Sequence, residues 1–191
     1  MPWLKRLCPI LIALFTITMA PVAKAESFDK EASRVISGSG TAIYLGAGIL
    51  LPLLQGGKTG RQQSLRALDA VVTSTAVCIL LKQITQVKRP DSNERDSFPS
   101  CHATAAFALA ASRSHYDPDN AWLWYSGAGL ISYSRVNLNR HTISDVVAGA
   151  ALGFFTSQIE LNQRHGLILF PFIDSDSQGN RIYGLQVQQN F

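Results

Sequence analysis

Blocks of apolar residues at helical spacing alternate with short polar breaks along most of the chain. The range 65–87 shows this clearly, because Leu65, Leu68 and Val72 recur at intervals of three and four residues, the period of one helix face. A dense apolar stretch of 14 residues at 41–54 has the length of a buried or interfacial helix. Further helices are predicted at 103–111, where the residues are small, at 122–133 and at 146–159.

The pattern changes after residue 163. The ranges 166–173 and 181–189 read as strands, and the polar stretch 174–180 between them reads as a loop. An isolated hairpin is marginally stable in water, so this one is expected to pack on the helices. The predicted fold is therefore mainly all-α, a helical bundle with a C-terminal β-hairpin over residues 166–191.

The N-terminus has the pattern of a secretory signal peptide. Lys5 and Arg6 precede an apolar run at 10–19, and Ala23-Lys24-Ala25 is a cleavage site with small residues. We therefore expect residues 1–25 to be a cleaved signal peptide and residues 26–191 to form a single domain in the periplasm. An uncleaved membrane anchor is the alternative.

Composition narrows the classes of partner. Removing residues 1–25 takes away Lys5, Arg6 and Lys24 but no acidic residue, which lowers the formal net charge from +4 to +1. The basic pI of about 9.1 therefore gives no support to nucleic-acid binding. The uncharged range 35–57 is interrupted by glycines and a proline, and the mean hydropathy is only +0.10. These features favour a soluble or peripherally membrane-attached domain over an integral one.

Chemically capable side chains concentrate between residues 82 and 145. They form three clusters: Lys82 with Arg89-Pro90, then Ser100-Cys101-His102, then Ser134-Arg135 with His141 and Asp145. Fixed cations, a hydroxyl, two imidazoles and a carboxylate suit an anionic, oxygen-rich substrate such as a phosphate ester.

Spacing predicts how the first two clusters meet. Lys82 and Arg89 are seven residues apart, two helical turns, so one helix would carry both on one side. Pro90 disfavours helical geometry at Arg89, which predicts that the helix ends there. Ser100 is a predicted N-cap, and the free amides that follow it can receive phosphate oxygens.

The third cluster supplies a base and an anion clamp. His141 precedes a predicted helix, and Asp145 lies one turn later, where a carboxylate can accept the imidazole proton and fix the tautomer. Arg135 has the planar fork that holds phosphate in two places.

The motifs Lys82-x6-Arg89-Pro90, Pro99-Ser100-x-His102 and Ser134-Arg135-x5-His141-x3-Asp145 resemble, in this order, the type 2 phosphatidic acid phosphatase (PAP2) superfamily. That superfamily also contains class A acid phosphatases and vanadium haloperoxidases. The resemblance covers roughly residues 62–161 and departs at Cys101, where the family usually has glycine.

The resemblance implies a role for each matching residue. His141 would attack phosphorus and become a phosphohistidine, Asp145 would orient it, and His102 would protonate the leaving oxygen. The phosphoryl oxygens would be held by Lys82, Arg89, Ser100, the Cys101 amide and Arg135. The reaction would need neither metal nor other cofactor.

Other site types fail on spacing. The sequence Gly56-Gly57-Lys58-Thr59 lacks the earlier glycine of a P-loop, because position 52 is Pro. Cysteine phosphatases have an arginine six residues after the nucleophile, and position 107 is Phe. The Cys and His residues also lack zinc-site spacing. In the mature chain Cys78 and Cys101 remain, which we expect to be buried thiols, although an oxidising compartment permits a disulfide.

The sequence therefore predicts an envelope phosphatase acting on phosphate monoesters, either phosphorylated lipids or small phosphoesters, with contact to a membrane surface left open. Alternatives are an integral-membrane lipid phosphate or pyrophosphate phosphatase and a non-catalytic phosphate- or lipid-binding homologue. A vanadium haloperoxidase is disfavoured by the chain's small size.

Overall fold

The computed structural model describes residues 30–54 and 56–163, together with the backbone of residues 170–175 and 181–186. Six α-helices are numbered here in chain order: α1 Lys30–Val35, α2 Thr41–Leu54, α3 Gly57–Thr85, α4 Cys101–Tyr116, α5 Ala121–Asn137 and α6 Ile143–Asn162. The prediction of a mainly helical bundle is confirmed. The predicted signal peptide at 1–25 lies outside the described residues.

A π-helical turn over Ile36–Gly40 joins α1 to α2, so helical backbone runs from Lys30 to Leu54 without a break. Such a turn is wider than an α-helical one. Gly40 suits it, because a β-carbon there would lie 3.1 Å from the carbonyl oxygen of Val35. The turn is closed by the Thr41 hydroxyl, which donates to the carbonyl oxygens of Ile36 at 2.9 Å and Ser37 at 3.2 Å.

The helix that carries Lys82 differs from its prediction at both ends. It begins at Gly57, which has a positive φ like Gly56 before it, and it ends at Thr85. Gln86 takes the left-handed conformation with φ 47° and donates its N–H to the Lys82 carbonyl, which closes the helix. The prediction that Arg89 lies on this helix, two turns after Lys82, is therefore wrong. Arg89 is in the following loop.

Helix α4 forms the centre of the bundle and packs against α2, α3, α5 and α6. Most of its buried residues are small, as the sequence predicted, Leu109 and Arg113 being the exceptions, and this allows backbones to approach closely. At Gly153 of α6 an added β-carbon would lie 2.0 Å from the Thr104 carbonyl oxygen, and at Gly149 it would lie 2.4 Å from that of Ser100. Glycine is therefore required at both positions for the observed distance between α4 and α6.

Large apolar side chains lie mainly on the outside of the bundle. Leu54, Ile84 and Ile43 are 82%, 77% and 70% exposed. The sequence left either a buried or an interfacial helix open for 41–54, and this exposure does not fit a fully buried one. By length and composition, two helical segments of the described part of the chain could cross a membrane, Lys30–Leu54 and Gly57–Thr85, with mean hydropathies of 1.4 and 1.6.

Cys78 of α3 and Cys101 of α4 form a disulfide, with their Cα atoms 5.7 Å apart. The expectation of two free buried thiols is therefore wrong, and the alternative that the sequence allowed is the one the structure contains. The disulfide connects the last turns of α3 to the first residue of α4.

Strands β1 Phe170–Ser175 and β2 Arg181–Gln186 pair antiparallel, with Phe170 opposite Gln186 and Ser175 opposite Arg181. The predicted strand ranges 166–173 and 181–189 extend beyond the described residues. The packing of a C-terminal hairpin on the helices stays a prediction.

Candidate active site

The loop between α3 and α4 brings Arg89 back toward the end of α3. Two backbone hydrogen bonds fold it, from Ser97 N to Val87 O at 2.9 Å and from Arg89 N to Glu94 O at 2.9 Å. The Lys82 ammonium donates to the carbonyl oxygen of Asp96, so the same loop also covers Lys82. Arg89 and Lys82 thus meet through a folded loop and not through a shared helix face.

Acidic side chains of this loop contact Arg89. Its guanidinium lies 2.6 Å from an Asp96 carboxylate oxygen and 3.1 Å from one of Glu94. Both carboxylates are more exposed than the arginine side chain, which is 16% exposed. An incoming phosphate would therefore compete with carboxylates for this cation.

Ser100 is the N-cap of α4, as predicted, but its hydroxyl does not cap the helix. The Ser100 Oγ is buried and has no hydrogen-bond partner among the described residues. The first-turn amides of Cys101, His102 and Ala103 have no partner within the helix. A free hydroxyl and free amides at a helix N-terminus form a site for an anion.

His141 lies just before α6 and is only 3% exposed. Its Nδ1 is 3.8 Å from Asp145 Oδ2, beyond hydrogen-bond distance. Asp145 Oδ2 instead accepts hydrogen bonds from Ser97 Oγ at 2.6 Å and Thr142 N at 2.8 Å. The carboxylate is therefore fixed by other donors, with the imidazole one short movement away.

Two of the three guanidinium nitrogens of Arg135, in the last turn of α5, differ in their contacts. Its NH1 donates to the hydroxyl of Ser37 in the π-helical turn. Its Nε is buried, and within the described part of the chain it finds no hydrogen-bond acceptor. A guanidinium with a free buried N–H is ready to receive an oxyanion.

Burial and neighbouring cations lower the pKa of both histidines. Burial is the largest cause and the charge of Arg135 is the second largest. Together with the charges of Lys82 and Arg89, these two causes lower the pKa of His102 and of His141 to about 4. For Asp145, burial alone would raise the pKa, but the hydrogen bonds from Ser97 and Thr142 outweigh it and the pKa falls. At neutral pH the site therefore contains neutral imidazoles beside three cations, of which Arg89 is paired with Asp96 and Glu94.

An open apolar groove of about 580 Å³ includes the histidine on α4 in its lining. It runs between α2 and α3, and its lining includes Leu45, Val72, Ile79, Cys101 and His102. The site thus has a polar, cationic part and an adjoining apolar part.

The predicted site residues lie in one region. The charges of Lys82, Arg89 and Arg135 act on both histidines, Ser100 N donates to the Asp145 carbonyl, and Cys101 lies between Ser100 and His102. The chemical roles assigned to these residues stay predictions.

Sequence reasoning missed three residues at this site. Ser97 holds the Asp145 carboxylate, Asp96 pairs with Arg89, and Ser37 contacts Arg135. No motif of the sequence included them. Ser37 is 98 residues from Arg135, and only the fold brings the two together.

Comparison with known proteins bears on the family resemblance. Residues 78–168 match the family model of the PAP2 superfamily. This segment, a little under half of the chain, is thus similar to the PAP2 superfamily, and the resemblance that the motifs predicted is confirmed over it.

Two particular proteins are similar to it. A lipid A 1-phosphatase of Porphyromonas gingivalis is 38% identical over 76 residues, which cover 37% of this chain and 17% of that protein. The chain thus aligns with about a sixth of the length of this relative. The crystal structure of Aquifex aeolicus LpxE superposes with a TM-score of 0.53 at 23% identity, over 75% of this chain and all of that one. At this identity the structural likeness shows a shared fold.

Proposed function

We propose that this protein is a phosphatase that hydrolyses the phosphate monoester of a phosphorylated lipid through a phosphohistidine. One observation carries the proposal: a cluster of cations and neutral imidazoles contains buried donors without partners among the described residues, at Ser100 Oγ and Arg135 Nε. Burying such donors unpaired is costly, and a phosphate group would satisfy them.

The proposed reaction has two steps at His141. The imidazole nitrogen that faces away from Asp145 attacks phosphorus, the P–O bond to the alcohol breaks, and His102 gives its proton to the departing oxygen. Water then attacks the phosphohistidine, releasing inorganic phosphate and restoring both histidines. Lys82, Arg89, Ser100, the Cys101 amide and Arg135 neutralise the phosphoryl oxygens in both steps, which is where most of the catalysis of phosphoryl transfer arises.

The apolar groove supports a lipid as the leaving group. His102 is both the proposed acid and part of the groove lining, so the alcohol that it protonates would lie at the groove entrance. Burial of acyl methylenes there is favourable by about 0.8 kcal/mol each. The name of the similar lipid A 1-phosphatase agrees with a lipid substrate. A small phosphoester would leave the groove empty.

The outer surface supports attachment to a membrane. Exposed Ile43, Leu50 and Leu54 on α2 and Leu80 and Ile84 on α3 form apolar faces much larger than isolated surface residues. Small residues inside and large apolar residues outside are the arrangement of helices packed in lipid. We propose that α2 and α3 contact acyl chains on the periplasmic side of the envelope, which makes the integral alternative stronger than the sequence indicated.

The test is turnover by the full chain in detergent micelles that contain a lipid phosphate, compared with p-nitrophenyl phosphate at the same concentration. Phosphate release from the lipid in the presence of a chelator is expected, with a kcat/KM at least about tenfold above that for the small substrate. Preference for the small substrate would contradict the lipid assignment. Tight phosphate binding without any turnover would identify a non-catalytic binding protein.

A further inference from the structure

Ser37 in the π-helical turn touches two candidate site residues that come from two other helices. Its hydroxyl accepts a hydrogen bond from Arg135 NH1 on α5. Its backbone hydrogen-bonds to His102 on α4. Ser37 is 6% exposed, so neither contact is a passing surface interaction.

The π-helical geometry explains how one residue reaches both. A π turn adds a residue to the helical turn and changes the direction of the side chains around it. Here the Ser37 carbonyl oxygen accepts a hydrogen bond from the Thr41 hydroxyl at 3.2 Å, and the Ser37 backbone also hydrogen-bonds to His102. π turns inside longer helices are frequent at functional sites, and this one faces the candidate phosphate site.

We propose that Ser37 is a positioning residue for the reaction assigned above, with its hydroxyl aligning Arg135 for phosphate and its carbonyl aligning His102 for the leaving group. The inference rests on the proposed function of the same site. Arg135 has NH1 fixed by Ser37 while its buried Nε has no partner among the residues described. The contact therefore fixes NH1 and leaves the buried Nε without an acceptor among the described residues.

The two parts of Ser37 can be separated by substitution. Ser37→Ala removes the hydroxyl but keeps the carbonyl, so the contact with Arg135 is lost and that with His102 remains. Without its anchor the long arginine side chain gains rotamers, and ordering it on phosphate then costs entropy. The expected result is weaker phosphate binding with an unchanged response to the leaving group.

Binding of inorganic phosphate, measured by calorimetry, and turnover of two substrates with good and poor leaving groups give the readouts. In Ser37→Ala the dissociation constant of phosphate and the KM should rise about tenfold, while kcat changes less than about twofold. The ratio of the two substrates' rates should equal that of the wild type. Unchanged phosphate binding, or tighter binding, would overturn the proposal.

A matched control lies one turn earlier in the chain. Ser33 is fully buried and its hydroxyl accepts a hydrogen bond from Asn137 at 2.9 Å, so it also ties the N-terminal helix to α5. Ser33→Ala should lower the melting temperature without changing phosphate affinity. If Ser33→Ala weakened phosphate binding as much as Ser37→Ala, the effect would be general loosening and the proposal would be wrong.

A pair of variants with the same shape guards against misfolding of Ser37→Ala. Ser37→Thr keeps a hydroxyl and Ser37→Val replaces it with a methyl group. Threonine should bind phosphate within about twofold of wild type and valine about tenfold more weakly, and equal affinities would refute the role of the hydroxyl. Wild-type protein that neither binds nor hydrolyses phosphate compounds would instead refute the proposed function.

Discussion

The two ends of α3 and α6 carry different kinds of charged cluster. At one end, Arg66 is enclosed by acceptors: its Nε donates to Glu160 Oε1 at 2.8 Å, and its NH2 donates to the carbonyl oxygens of Glu160 and Gln163. At the other end, Arg135 retains a buried Nε that finds no acceptor in the described part of the chain. In the first cluster the arginine donors are bound by protein acceptors, and in the second a donor remains available to a ligand.

The difference shows that the pairing of charges identifies a site better than their number does. Glu160 is completely buried, and its Oε2 has no partner among the described residues, yet the carboxylate and Arg66 neutralise each other. Around Arg135, the charges of Arg89 and Arg140 add to its own and, after burial, lower its pKa to about 10. Like charges held close together in a folded protein are typical of a binding or catalytic site.

The largest effect is expected at the open cluster, from His141→Ala. Turnover should fall by at least about a thousandfold because no other group described here can replace the nucleophile. Quenching with labelled substrate should trap an acid-labile phosphohistidine in the wild type alone. Retention of about a tenth of the activity, or a phosphoenzyme in the variant, would show that His141 is not the nucleophile.

Arg135→Ala and Glu160→Ala should have opposite consequences. Arg135→Ala should reduce kcat/KM about a hundredfold while changing the free energy of unfolding by less than about 1 kcal/mol. Glu160→Ala leaves Arg66 buried without its carboxylate and should cost about 3–5 kcal/mol of stability. Denaturant unfolding and steady-state kinetics of both variants test this. A large stability loss in Arg135→Ala would show that the Arg135 cluster, like the Arg66 cluster, mainly stabilises the fold.

The pH dependence should show the influence of the cations around the two histidines. His141 must be neutral to attack and gains a proton below its pKa of about 4, whereas His102 must be protonated to act as acid and loses its proton above a pKa of about 4. The profile of kcat/KM should therefore have its maximum on the acidic side of pH 6.5. Arg135→Ala removes a charge that lowers both pKa values, so its maximum should move to higher pH. A maximum at the same pH in both proteins would contradict this electrostatic account.

The smallest effect is expected from the disulfide. Reduction with dithiothreitol frees the first residue of α4 from α3, and activity should fall by about two- to fivefold as the amides at Ser100 and Cys101 lose alignment. Cys78→Ser should show the reduced activity and no response to dithiothreitol. Mass spectrometry of alkylated, unreduced protein checks that the bond is present, and two free thiols would rule it out.

Sequence was most informative where chemistry and local structure coincide. The N-cap position of Ser100 and the helix that follows His141 could be predicted because capping and turn residues act over a few positions. The path of the chain after Lys82 could not be predicted in this way. Pro90 predicted a helix end at Arg89, but the helix ends earlier, at the left-handed conformation of Gln86. The identity of this residue does not predict that conformation.

Contacts across the fold were also out of reach. Nothing near Ser37 or Ser97 in the sequence indicates that their hydroxyls hold Arg135 and Asp145, because both contacts depend on how separate segments pack. The exposed apolar faces of α2 and α3 were missed for another reason. Apolar residues predict burial in general, and the sequence does not say whether protein or lipid covers them.

Because α6 lies so close to α4, the side of the site formed by these two helices cannot accept larger residues. The side formed by α2 and α3 can vary. Gly149 and Gly153 allow backbone to lie against backbone, so a side chain added on either helix would push His102 and Asp145 apart. Relatives that accept bulkier or smaller alcohols would therefore have to differ on α2 and α3, which contribute most of the groove lining. Mutational libraries aimed at changing substrate preference should sample Leu45, Val72 and Ile79 and leave both glycines untouched.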